Sequence, residues 1–474
     1  MDEKEIKGLI LFAVCAICVS SVFLRLDKGA MGNHEAYVAV TARQMLQSGE
    51  WVVPKFNGEV RLQKTPLCYW LVAGAEKITG SASEFVVRLP GALLAVLSAF
   101  AVFYFVSERL GFRTAVISTF VWSTTVCYIR YSHTARPEMT LCSFVAIAML
   151  SFYSAIKTES RRKQIWFMLI FWISFALAML AKGPAPLPLI APALFLYFLF
   201  SRQWKLVPKL LPIAGTILFL LIVLPWPIAV VKHLPNALEI WNREFISRAE
   251  GEYAAGSKPF YYYFKVIFVH FLPYSAFIPL AAFAPFYKIW EKRRDAIWYH
   301  WLWFFGGIAV MSLCGGKRQH YILPVMPAMA VMAGIIIDDM IFVRKAYEKK
   351  FVRNFLIGHL IALVVVPCVL IFAKSNLESK EVTNNYSTQR LVRQFMDEAA
   401  GTEIIAYCNV NPSFIYYYGK DVHRIYDIND VYIRYTDGTG IFAMDGNYER
   451  LKKDGRFNLF IKGSDNERGL FLNK

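Results

Sequence analysis

Charged residues are scarce in this 474-residue sequence and make up only 18% of it. Soluble globular domains usually carry about 25% charged residues. Hydrophobic residues instead reach 56%, and the charges fall in clusters between long apolar runs. A run of about 20 apolar residues is long enough to cross a bilayer as a helix. The pattern therefore excludes an ordinary soluble domain and predicts a polytopic helical membrane protein.

Acidic residues are also few, with 35 Asp and Glu against 52 Lys and Arg. An excess of basic residues can indicate nucleic-acid binding, but here much of it lies in short loops between apolar runs. Basic residues in such loops orient membrane helices toward the cytoplasm. We therefore expect no nucleic-acid partner, and we expect membrane lipids to surround the protein.

The sequence offers no disulfide framework and no internal repeat. Five of its eight cysteines lie within or beside apolar runs, where packing is the ordinary role of cysteine. They are Cys15, Cys18, Cys127, Cys142 and Cys368. Because many transporters are built from two related halves, the absence of a repeat weighs against a transporter.

Eleven membrane spans are predicted from the apolar runs. They are residues 8–25, 86–106, 113–129, 139–156, 165–181, 184–201, 210–231, 261–286, 297–314, 321–343 and 353–373. The turn at Lys182-Gly183-Pro184 is so short that its two flanking spans could instead be one broken helix. No cleavable signal peptide is evident, so the first run is expected to remain as an anchor.

The loops between these spans predict the orientation of the chain. Five alternate loops are net basic, namely residues 107–113, 157–164, 201–209, 287–295 and 343–354. The positive-inside rule places them in the cytoplasm, which makes the N-terminus cytoplasmic and the C-terminus extracytoplasmic. We expect localisation in the inner (plasma) membrane, with nearly all unusual polar clusters on the outer side.

Two parts of the chain are predicted to lie outside the membrane. The first is a long outer loop, residues 26–85, which belongs to a transmembrane domain of residues 1–374. The second is residues 375–474, where a helix at Ser387–Ala399 and a helix at Pro412–Tyr418 alternate with strand-like segments. Alternating helices and strands predict a small α/β domain.

The predicted outer segments contain a series of polar motifs. They are Gly32–Pro54 with its His34-Glu35 pair, Lys64-Thr65-Pro66-Leu67 with Tyr69-Trp70, Arg88-Leu89-Pro90, Arg136-Pro137-Glu138-Met139, Ala181-Lys182-Gly183-Pro184, Trp241–Glu244 and Lys317–Pro324. Over residues 8–345 this series resembles the polyprenyl-phosphate-sugar-dependent glycosyltransferases of the GT-C fold. Among these enzymes, the series of motifs is similar to the lipid A aminoarabinose transferase family and, more distantly, to the protein O-mannosyltransferases.

The resemblance implies both a fold and a reaction. The expected fold is an all-α polytopic membrane domain of GT-C type with about 11 to 13 transmembrane helices, amphipathic outer-loop helices and the small C-terminal α/β domain. The expected reaction moves a sugar from a polyprenyl-phosphate donor, with inversion, to an acceptor at the outer face of the inner membrane. Lipid A, another glycan and a protein all remain open as the acceptor.

That reaction needs fixed cations beside the leaving phosphate and a general base beside the acceptor hydroxyl. The predicted ligands of the donor phosphate are Lys64, Arg243, Lys317, Arg318, Tyr321 and Tyr69. Further candidates for the pocket are Arg61, Arg88, Arg136, Lys182 and His320. Arginine suits bidentate phosphate contacts and lysine suits point-charge contacts.

The candidate catalytic residues are Glu35, His34 and Glu138, and three positions depart from the family pattern. His34 stands in place of the first acid of an Asp-Glu pair, Gln63 in place of a glutamate, and Glu138 in place of an aspartate. Glu35 is the preferred base because it keeps the acidic position. His34 is its rival, since an imidazole titrates near neutral pH.

Plainer structural roles remain open for several of these residues. Glu35 could cap the helix predicted at Ala36–Gln47, and Glu138 could cap the span that begins at Met139. Lys64 and Arg88 could be anchors at the membrane interface. Lys317 and Arg318 are different, because they lie on the side that the positive-inside rule disfavours. A functional role is favoured for those two.

A metal site is considered and not favoured. His34, His133, Glu138 and His320 all fall in predicted outer segments, and imidazole with carboxylate suits zinc or manganese. Their spacing does not group them, and cations can stabilise a leaving phosphate without a metal. We therefore expect no required cofactor, while a divalent metal remains an alternative.

Two other functions remain as alternatives to a glycosyltransferase. A lipid-linked sugar transporter, or flippase, would fit the membrane character of the chain. A non-catalytic glycolipid-binding relative would fit the loss of the first acid at position 34. The crowding of polar motifs on one side of the membrane, rather than at its middle, favours the enzyme.

Overall fold

The computed structural model describes residues 2–247, 258–358, 361, 380–399, 401–436 and 438–473. The chain forms two compact units, each assembled from three separate segments. The helical unit comprises Met1–Leu26, Leu62–Cys68 and Arg88–Leu370, and the mixed unit comprises Asp27–Arg61, Tyr69–Val87 and Ile371–Lys474. The domain boundary predicted between residues 374 and 375 lies outside the described residues.

The helical unit consists almost entirely of helices. Its α-helices are Glu3–Phe23, the part of Glu84–Leu110 from Arg88 onward, Phe112–Thr124, Val126–Ser132, Pro137–Lys157, Arg161–Lys182, Leu187–Ser201, Pro212–Val223, Pro225–His233, Ala237–Trp241, Tyr262–His270, Phe277–Phe283, Arg294–Trp301, Gly307–Leu313 and Met326–Asp338. Short 3-10 or π helices occur at Trp204–Leu210, Asn242–Ser247, Ala284–Phe286, Lys288–Arg293, Leu302–Gly306, Gln319–Val325, Asp339–Val343 and Ala346–Glu348.

Among the described residues, seven helices are long and apolar enough to cross a membrane. They are Glu3–Phe23, Glu84–Leu110, Pro137–Lys157, Arg161–Lys182, Pro212–His233, Lys288–Leu313 and Gln319–Val343, and each overlaps a predicted span. Shorter apolar helices run at Leu187–Ser201 and Phe277–Phe286. The protein is a multi-pass membrane protein.

Two predicted spans are broken in the structure. The span predicted at 113–129 ends at Thr124, and the Thr125 hydroxyl accepts from the backbone N–H of Tyr128 to begin a new helix. The span predicted at 261–286 stops at His270, three residues before Pro273, and helix resumes at Phe277. Proline interrupts a helix because it lacks an N–H donor. The last predicted span, 353–373, lies mostly outside the described residues.

The Pro137–Lys157 helix packs at the centre of the helical unit. Of the residues in its most apolar 18-residue stretch, 94% are buried. Nearby, Gly334 of the Met326–Asp338 helix faces Ser118 of the Phe112–Thr124 helix. A Cβ atom added at Gly334 would lie 3.0 Å from the Ser118 Cα atom. Small residues at such crossings let helix backbones approach closely in membrane proteins.

Two carboxylates of the helical unit, Asp338 and Asp295, are paired with cations. Asp338 is 1% exposed and accepts hydrogen bonds from the Arg293 guanidinium at 2.8 Å and the Thr114 hydroxyl at 2.9 Å. The Asp295 carboxylate lies 2.9 Å from the Lys157 ammonium and accepts a hydrogen bond from the Tyr197 hydroxyl at 3.0 Å. A buried charge such as that of Asp338 is costly unless it is paired in this way.

The mixed unit contains a five-stranded sheet from the C-terminal part of the chain. Its strands are β3 Glu403–Tyr407, β4 His423–Ile425, β5 Thr439–Met444, β6 Leu459–Lys462 and β7 Arg468–Leu472. The strand order is β4-β3-β5-β7-β6; β3 is parallel to β4 and β5, whereas β7 is antiparallel to β5 and β6. The predicted α/β character of this part is confirmed.

Among its described residues, the mixed unit also contains six helices, two of them in the first loop. They are Asn33–Ser48, Leu67–Thr79 from Tyr69 onward, Lys380–Glu398, Pro412–Tyr418, Ile428–Arg434 and Asp445–Lys453. The helix at Pro412–Tyr418 has its predicted bounds, because Gly419 adopts the left-handed conformation that ends a helix. Strand β7 and the helices Ile428–Arg434 and Asp445–Lys453 were not predicted.

Within the mixed unit, the first loop packs on the C-terminal segment. The loop forms the helix Asn33–Ser48 and a hairpin of β1 Lys55–Phe56 and β2 Glu59–Val60, turned at Asn57-Gly58. The Asn57 amide donates to the Val422 carbonyl at 2.9 Å and accepts from the Val422 N–H at 2.7 Å. The backbone N–H of Met31 donates to the Tyr417 hydroxyl at 2.7 Å.

Glu76, on the Leu67–Thr79 helix of the mixed unit, is 5% exposed. Burial raises the pKa of its carboxyl to about 7, although the nearby Arg43 guanidinium opposes this shift. The Tyr416 ring also lies close enough to interact with it electrostatically. Because the folded state keeps a proton that the unfolded chain releases, stability should fall as pH rises from about 4.5 to 7.

We expect Glu76→Gln to remove this fall, because the amide has the same shape and carries no charge. Above pH 7 the variant should be more stable than the parent protein by up to roughly 3 kcal/mol. Unfolding of the purified protein in detergent at pH 5 and pH 8 measures the difference. Glu398→Gln, at an exposed carboxylate of the same unit, is the matched control. An unchanged pH dependence in Glu76→Gln would contradict the assignment.

Candidate active site

Three predicted site residues of the helical unit meet at one carboxylate. The Lys182 ammonium lies 2.9 Å from Glu138 Oε1, and His320 Nε2 lies 3.3 Å from the same oxygen. The side chains are largely buried, at 8% exposure for Glu138, 11% for Lys182 and 17% for His320. We call Glu138, Lys182 and His320 the ion cluster.

Local sequence explains why these side chains point to one place. Pro137 occupies the first turn of the Pro137–Lys157 helix and puts Glu138 at its N-terminal end. Lys182 is the last residue of the Arg161–Lys182 helix, which Gly183 ends with a positive φ of 59°. The N-terminus of a helix carries partial positive charge and its C-terminus partial negative charge. An acidic side chain at the first and a basic side chain at the second are therefore both stabilised. His320 enters from the 3-10 turn Gln319–Val325.

The segment Leu62–Cys68 lies beside the ion cluster in the same unit. The backbone N–H of Gly183 donates to the Thr65 hydroxyl at 3.0 Å. The buried Cys68 thiol interacts electrostatically with Glu138, Lys182 and Lys64, while burial raises its pKa to about 12. Lys64 is therefore near the cluster, and its ammonium lies 3.7 Å from the Glu244 carboxylate.

Positive charge predominates around the ion cluster. Arg136 and Arg318 interact electrostatically with His320, and Arg136 also with Glu138. The Lys182 ammonium lies 5.2 Å from the centre of the Tyr321 ring, within the range of a cation–π contact. Oε2 of Glu138 is buried and has no hydrogen-bond partner among the described residues. The excess of cations favours an anionic ligand, whereas the unpaired carboxylate oxygen favours a ligand group that donates a hydrogen bond.

Other predicted residues of the helical unit make local contacts. The Lys317 ammonium donates to the Cys314 carbonyl at 2.7 Å. Arg243 is exposed and lies 4.0 Å from Glu239, one helical turn away. Arg88 is 3% exposed and donates to the Leu26 carbonyl at 3.1 Å.

The predicted site residues of the mixed unit are Glu35, His34, Arg61 and Tyr69. Glu35 is 6% exposed, and its Oε2 accepts from the Gly32 N–H at 3.1 Å, which caps the Asn33–Ser48 helix. His34 is exposed. The Arg61 guanidinium lies 3.7 Å from the Tyr37 ring centre, and Tyr69 is 1% exposed. The roles of Glu35 and His34 in catalysis stay predictions.

The histidines do not form a metal centre among the described residues. Within that part of the chain, no group of three or more His, Cys, Asp or Glu side chains is placed to hold an ion. The His133 ring contacts two backbone carbonyls, that of Ile129 at 2.7 Å and that of Leu24 at 3.1 Å. The need for a divalent metal stays open to experiment.

Sequence reasoning missed two residues that position the site. Glu244 pairs with Lys64, and the Thr65 hydroxyl receives the Gly183 N–H. Both residues belong to sequence motifs of the predicted outer side, so the motifs already indicated these two positions. The pairing itself could not be predicted, because Lys64 and Glu244 are 180 positions apart in the sequence.

The same region of the chain matches a known family. The family of dolichyl-phosphate-mannose-protein mannosyltransferases matches residues 63–228. An uncharacterized protein of Aquifex aeolicus (strain VF5) is 33% identical over 308 residues, which are 65% of this chain and 59% of that protein. The undecaprenyl phosphate-alpha-4-amino-4-deoxy-L-arabinose arabinosyl transferase of Edwardsiella ictaluri (strain 93-146) is 27% identical over 308 residues, which are 64% of this chain and 54% of that protein.

Solved structures match nearly the whole chain. The crystal structure of ArnT from Cupriavidus metallidurans bound to undecaprenyl phosphate matches with a TM-score of 0.79 and 17% identity, covering 99% of this chain and 98% of that one. The archaeal oligosaccharyltransferase AglB from Archaeoglobus fulgidus matches with a TM-score of 0.52 and 11% identity, covering 93% and 70%.

These comparisons define the class of fold. The chain is a multi-pass membrane protein with the GT-C fold of ArnT, so the predicted fold class is confirmed. The resemblance found in the sequence motifs is confirmed as well. The chain spans 54–59% of the length of these two curated relatives.

We expect Glu138→Gln to destabilise the protein, because it leaves the buried Lys182 ammonium without its counter-ion. Breaking a buried ion pair by removing one partner typically costs about 3–5 kcal/mol. Thermal unfolding in detergent should show a clearly lower transition temperature. Glu239→Gln removes an exposed carboxylate that is also paired with a cation, and it should leave the transition unchanged. Equal effects of the two substitutions would contradict the role of the ion cluster.

Proposed function

We propose that this protein is an integral membrane glycosyltransferase that moves a sugar from a polyprenyl-phosphate donor to a lipid or glycan acceptor. The observation that carries the proposal is the ion cluster with Lys64 beside it, in a chain with the ArnT fold. One ArnT structure holds undecaprenyl phosphate, which is the leaving group of such a reaction.

The proposed chemistry follows from where charge develops. When the glycosidic bond to the donor phosphate breaks, negative charge accumulates on the phosphate oxygens. Lys64 and Lys182 supply positive charge there, and fixed charges in a water-poor site stabilise such a state more than they would in water. Glu138 and Glu244 hold the two ammonium groups in place before the substrate arrives.

The acceptor hydroxyl must lose its proton as it attacks the anomeric carbon. Glu35 remains our preferred base and His34 its rival, as predicted from the sequence. A single displacement by the hydroxyl inverts the anomeric configuration and needs no covalent glycosyl-enzyme. Glu138 already binds Lys182 and His320 through Oε1, so we assign it to orient these groups.

The substrates and orientation are proposed from separate observations. The sugar and carrier in the name of the Edwardsiella relative, 4-amino-4-deoxy-L-arabinose on undecaprenyl phosphate, make that molecule the first donor to test. Lipid A is the first acceptor to test. From the five net-basic loops we propose that the N-terminus lies in the cytoplasm and that residues 375–474 lie outside it.

Sugar transfer by the purified protein in liposomes tests this proposal. With that donor and lipid A, mass spectrometry should detect the glycosylated acceptor. Lys64→Met and Lys182→Met should each lower the turnover rate by about 100-fold or more, the loss typical of removing one group that stabilises developing charge. Lys7→Met, at an exposed lysine paired with Glu3, should keep the parent rate.

Different failures of that experiment have different meanings. Movement of the donor across the bilayer without product would support the transporter alternative. Tight binding of undecaprenyl phosphate with no transfer to any acceptor would support a non-catalytic glycolipid-binding relative. Parent rates in both lysine variants would contradict the role given to the two ammonium groups.

The identity of the base is tested by the pH dependence of transfer. If Glu35 is the base, Glu35→Gln should nearly abolish turnover, and His34→Gln should keep both the rate and the shape of the pH profile. If His34 is the base, His34→Gln should remove the limb of the profile near the histidine pKa of about 6.5. Turnover of Glu35→Gln at the parent rate would contradict our preference.

A further inference from the structure

Two basic segments of the helical unit lie side by side on a surface that the proposed reaction does not use. They are residues 157–164 and residues 201–209. The Lys157 ammonium donates to the Gln203 side chain at 3.5 Å. At the other end, Gln164 accepts from the Arg161 guanidinium at 2.9 Å and donates to the Lys209 carbonyl at 2.7 Å. The segments are therefore joined at both ends, and we call them together the basic face.

Positive charge on the basic face greatly exceeds its negative charge. The two segments contain seven basic residues and one acidic residue. Lys157 lies 2.9 Å from the Asp295 carboxylate, and Lys163 lies 2.6 Å from Glu108. The other five cations form no salt bridge within the described part of the chain; they are Arg161, Arg162, Arg202, Lys205 and Lys209. Four of them are exposed and Lys209 is half-exposed, so an anion from outside can reach them.

The position of these cations is costly in another way. Three basic residues in a row, at positions 161, 162 and 163, form the first turn of the Arg161–Lys182 helix. The helix dipole disfavours cations at this end. Orientation in the membrane requires basic residues in a loop, but it does not require them inside a helix. An additional source of negative charge would offset this cost.

Exposed apolar side chains adjoin the basic face in both segments. Trp166, one helical turn after Arg162, is 59% exposed, and Ile213, soon after the second segment, is 78% exposed. Within the second segment the Trp204 ring is 48% exposed and stacks on Phe198, with ring centres 5.9 Å apart. Tryptophan is enriched where a membrane meets water. The cations therefore lie beside surface that suits lipid.

The two helices that continue from the basic segments pack directly on each other. The Trp172 indole of the Arg161–Lys182 helix donates to the Leu210 carbonyl at 2.9 Å. A Cβ atom added at Gly215, in the Pro212–Val223 helix, would overlap the same indole. Because this contact is close, the cations and the exposed apolar side chains belong to one continuous surface.

Charge and apolar surface together select the class of ligand. Free phosphate, nucleotides and nucleic acids would use the cations but would leave the exposed apolar side chains in contact with nothing. A zwitterionic phospholipid would cover the apolar side chains but brings no net negative charge. An anionic phospholipid has both a phosphate group for the cations and acyl chains for the apolar surface. Arginine binds such a phosphate through two parallel hydrogen bonds, and lysine binds it as a point charge.

We propose that the basic face binds the headgroup of an anionic phospholipid, whose acyl chains lie along the Arg161–Lys182 and Pro212–Val223 helices. Basic sites between membrane helices recognise acidic headgroups in this way. The site goes beyond the proposed transfer reaction, because it uses no residue of the ion cluster and no polyprenyl donor.

Native mass spectrometry of the purified full-length protein in a non-ionic detergent tests this site. The probes are phosphatidylglycerol and phosphatidylcholine with the same acyl chains. The parent protein should bind phosphatidylglycerol more tightly. One basic residue near an acidic lipid changes affinity by about 5-fold, so the triple variant Arg162→Gln/Lys205→Gln/Lys209→Gln should weaken phosphatidylglycerol binding by at least about 10-fold. Its binding of phosphatidylcholine should stay unchanged.

A second triple variant is the matched control. Lys345→Gln/Lys349→Gln/Lys350→Gln removes the same charge at exposed positions of another net-basic loop and should keep the parent preference. Both variants should unfold in detergent at the parent temperature. If the first variant unfolds earlier, the comparison is made between Lys205→Gln and Lys349→Gln, each a single change at an exposed lysine.

Three outcomes would overturn the site. One is equal affinity of the parent protein for the two phospholipids. Another is an equal loss of phosphatidylglycerol binding in the two triple variants, which would assign the effect to net charge alone. The third is displacement of phosphatidylglycerol by an equal concentration of inorganic phosphate, which would make the basic face a site for free anions. Since no probe is a polyprenyl phosphate, failure here is distinct from failure of the transfer reaction.

Discussion

The buried ion pair between Glu138 and Lys182 is the constraint on which the site depends. Two charges removed from water cost several kcal/mol each, and their attraction offsets this only with good geometry. Here the geometry comes from a helix that begins at Pro137 and a helix that ends at Gly183. The two helix ends hold an acid and a base 2.9 Å apart, and His320 completes the arrangement.

This arrangement explains why a membrane protein would keep charges in such a costly position. Lys64 has a similar partner in Glu244, so Lys64 and Lys182 are each paired with a carboxylate. A cation fixed in advance need not reorganise when charge develops on a substrate, and such preorganisation is the main source of electrostatic catalysis. Under the proposed function, the two carboxylates orient the cations that would act on the donor phosphate.

Features set by local chemistry could be read from the sequence. The helix at Pro412–Tyr418 could be predicted because Gly419 readily adopts the left-handed conformation that ends a helix, and in the structure it does so. The sequence motifs named Glu138, Lys182 and His320 as separate site candidates, but they did not predict that Glu138 pairs with the other two. Charge alone could not have selected Lys182 as the partner of Glu138, since other cations follow in the sequence.

Features set by distant contacts could not be read in the same way. The carboxyl pKa of Glu76 depends on burial that the chain achieves only when its helix packs in the mixed unit. Strand β7 runs antiparallel between two strands, and its short Arg-Gly-Leu-Phe-Leu sequence has no clear alternation. For Glu35 the structure shows one of the two roles considered, because its carboxylate caps a helix. The role of general base stays a prediction.

The central claim is that the lysine ammonium groups at this site contact the donor phosphate. Solid-state NMR can test it directly by measuring dipolar coupling between the phosphorus of bound undecaprenyl phosphate and ¹⁵N-labelled lysine side chains. The account predicts coupling at contact distance in the parent protein, reduced in Lys64→Met and in Lys182→Met and unchanged in Lys7→Met. Bound undecaprenyl phosphate with no lysine coupling, or with coupling that survives both substitutions, would contradict it.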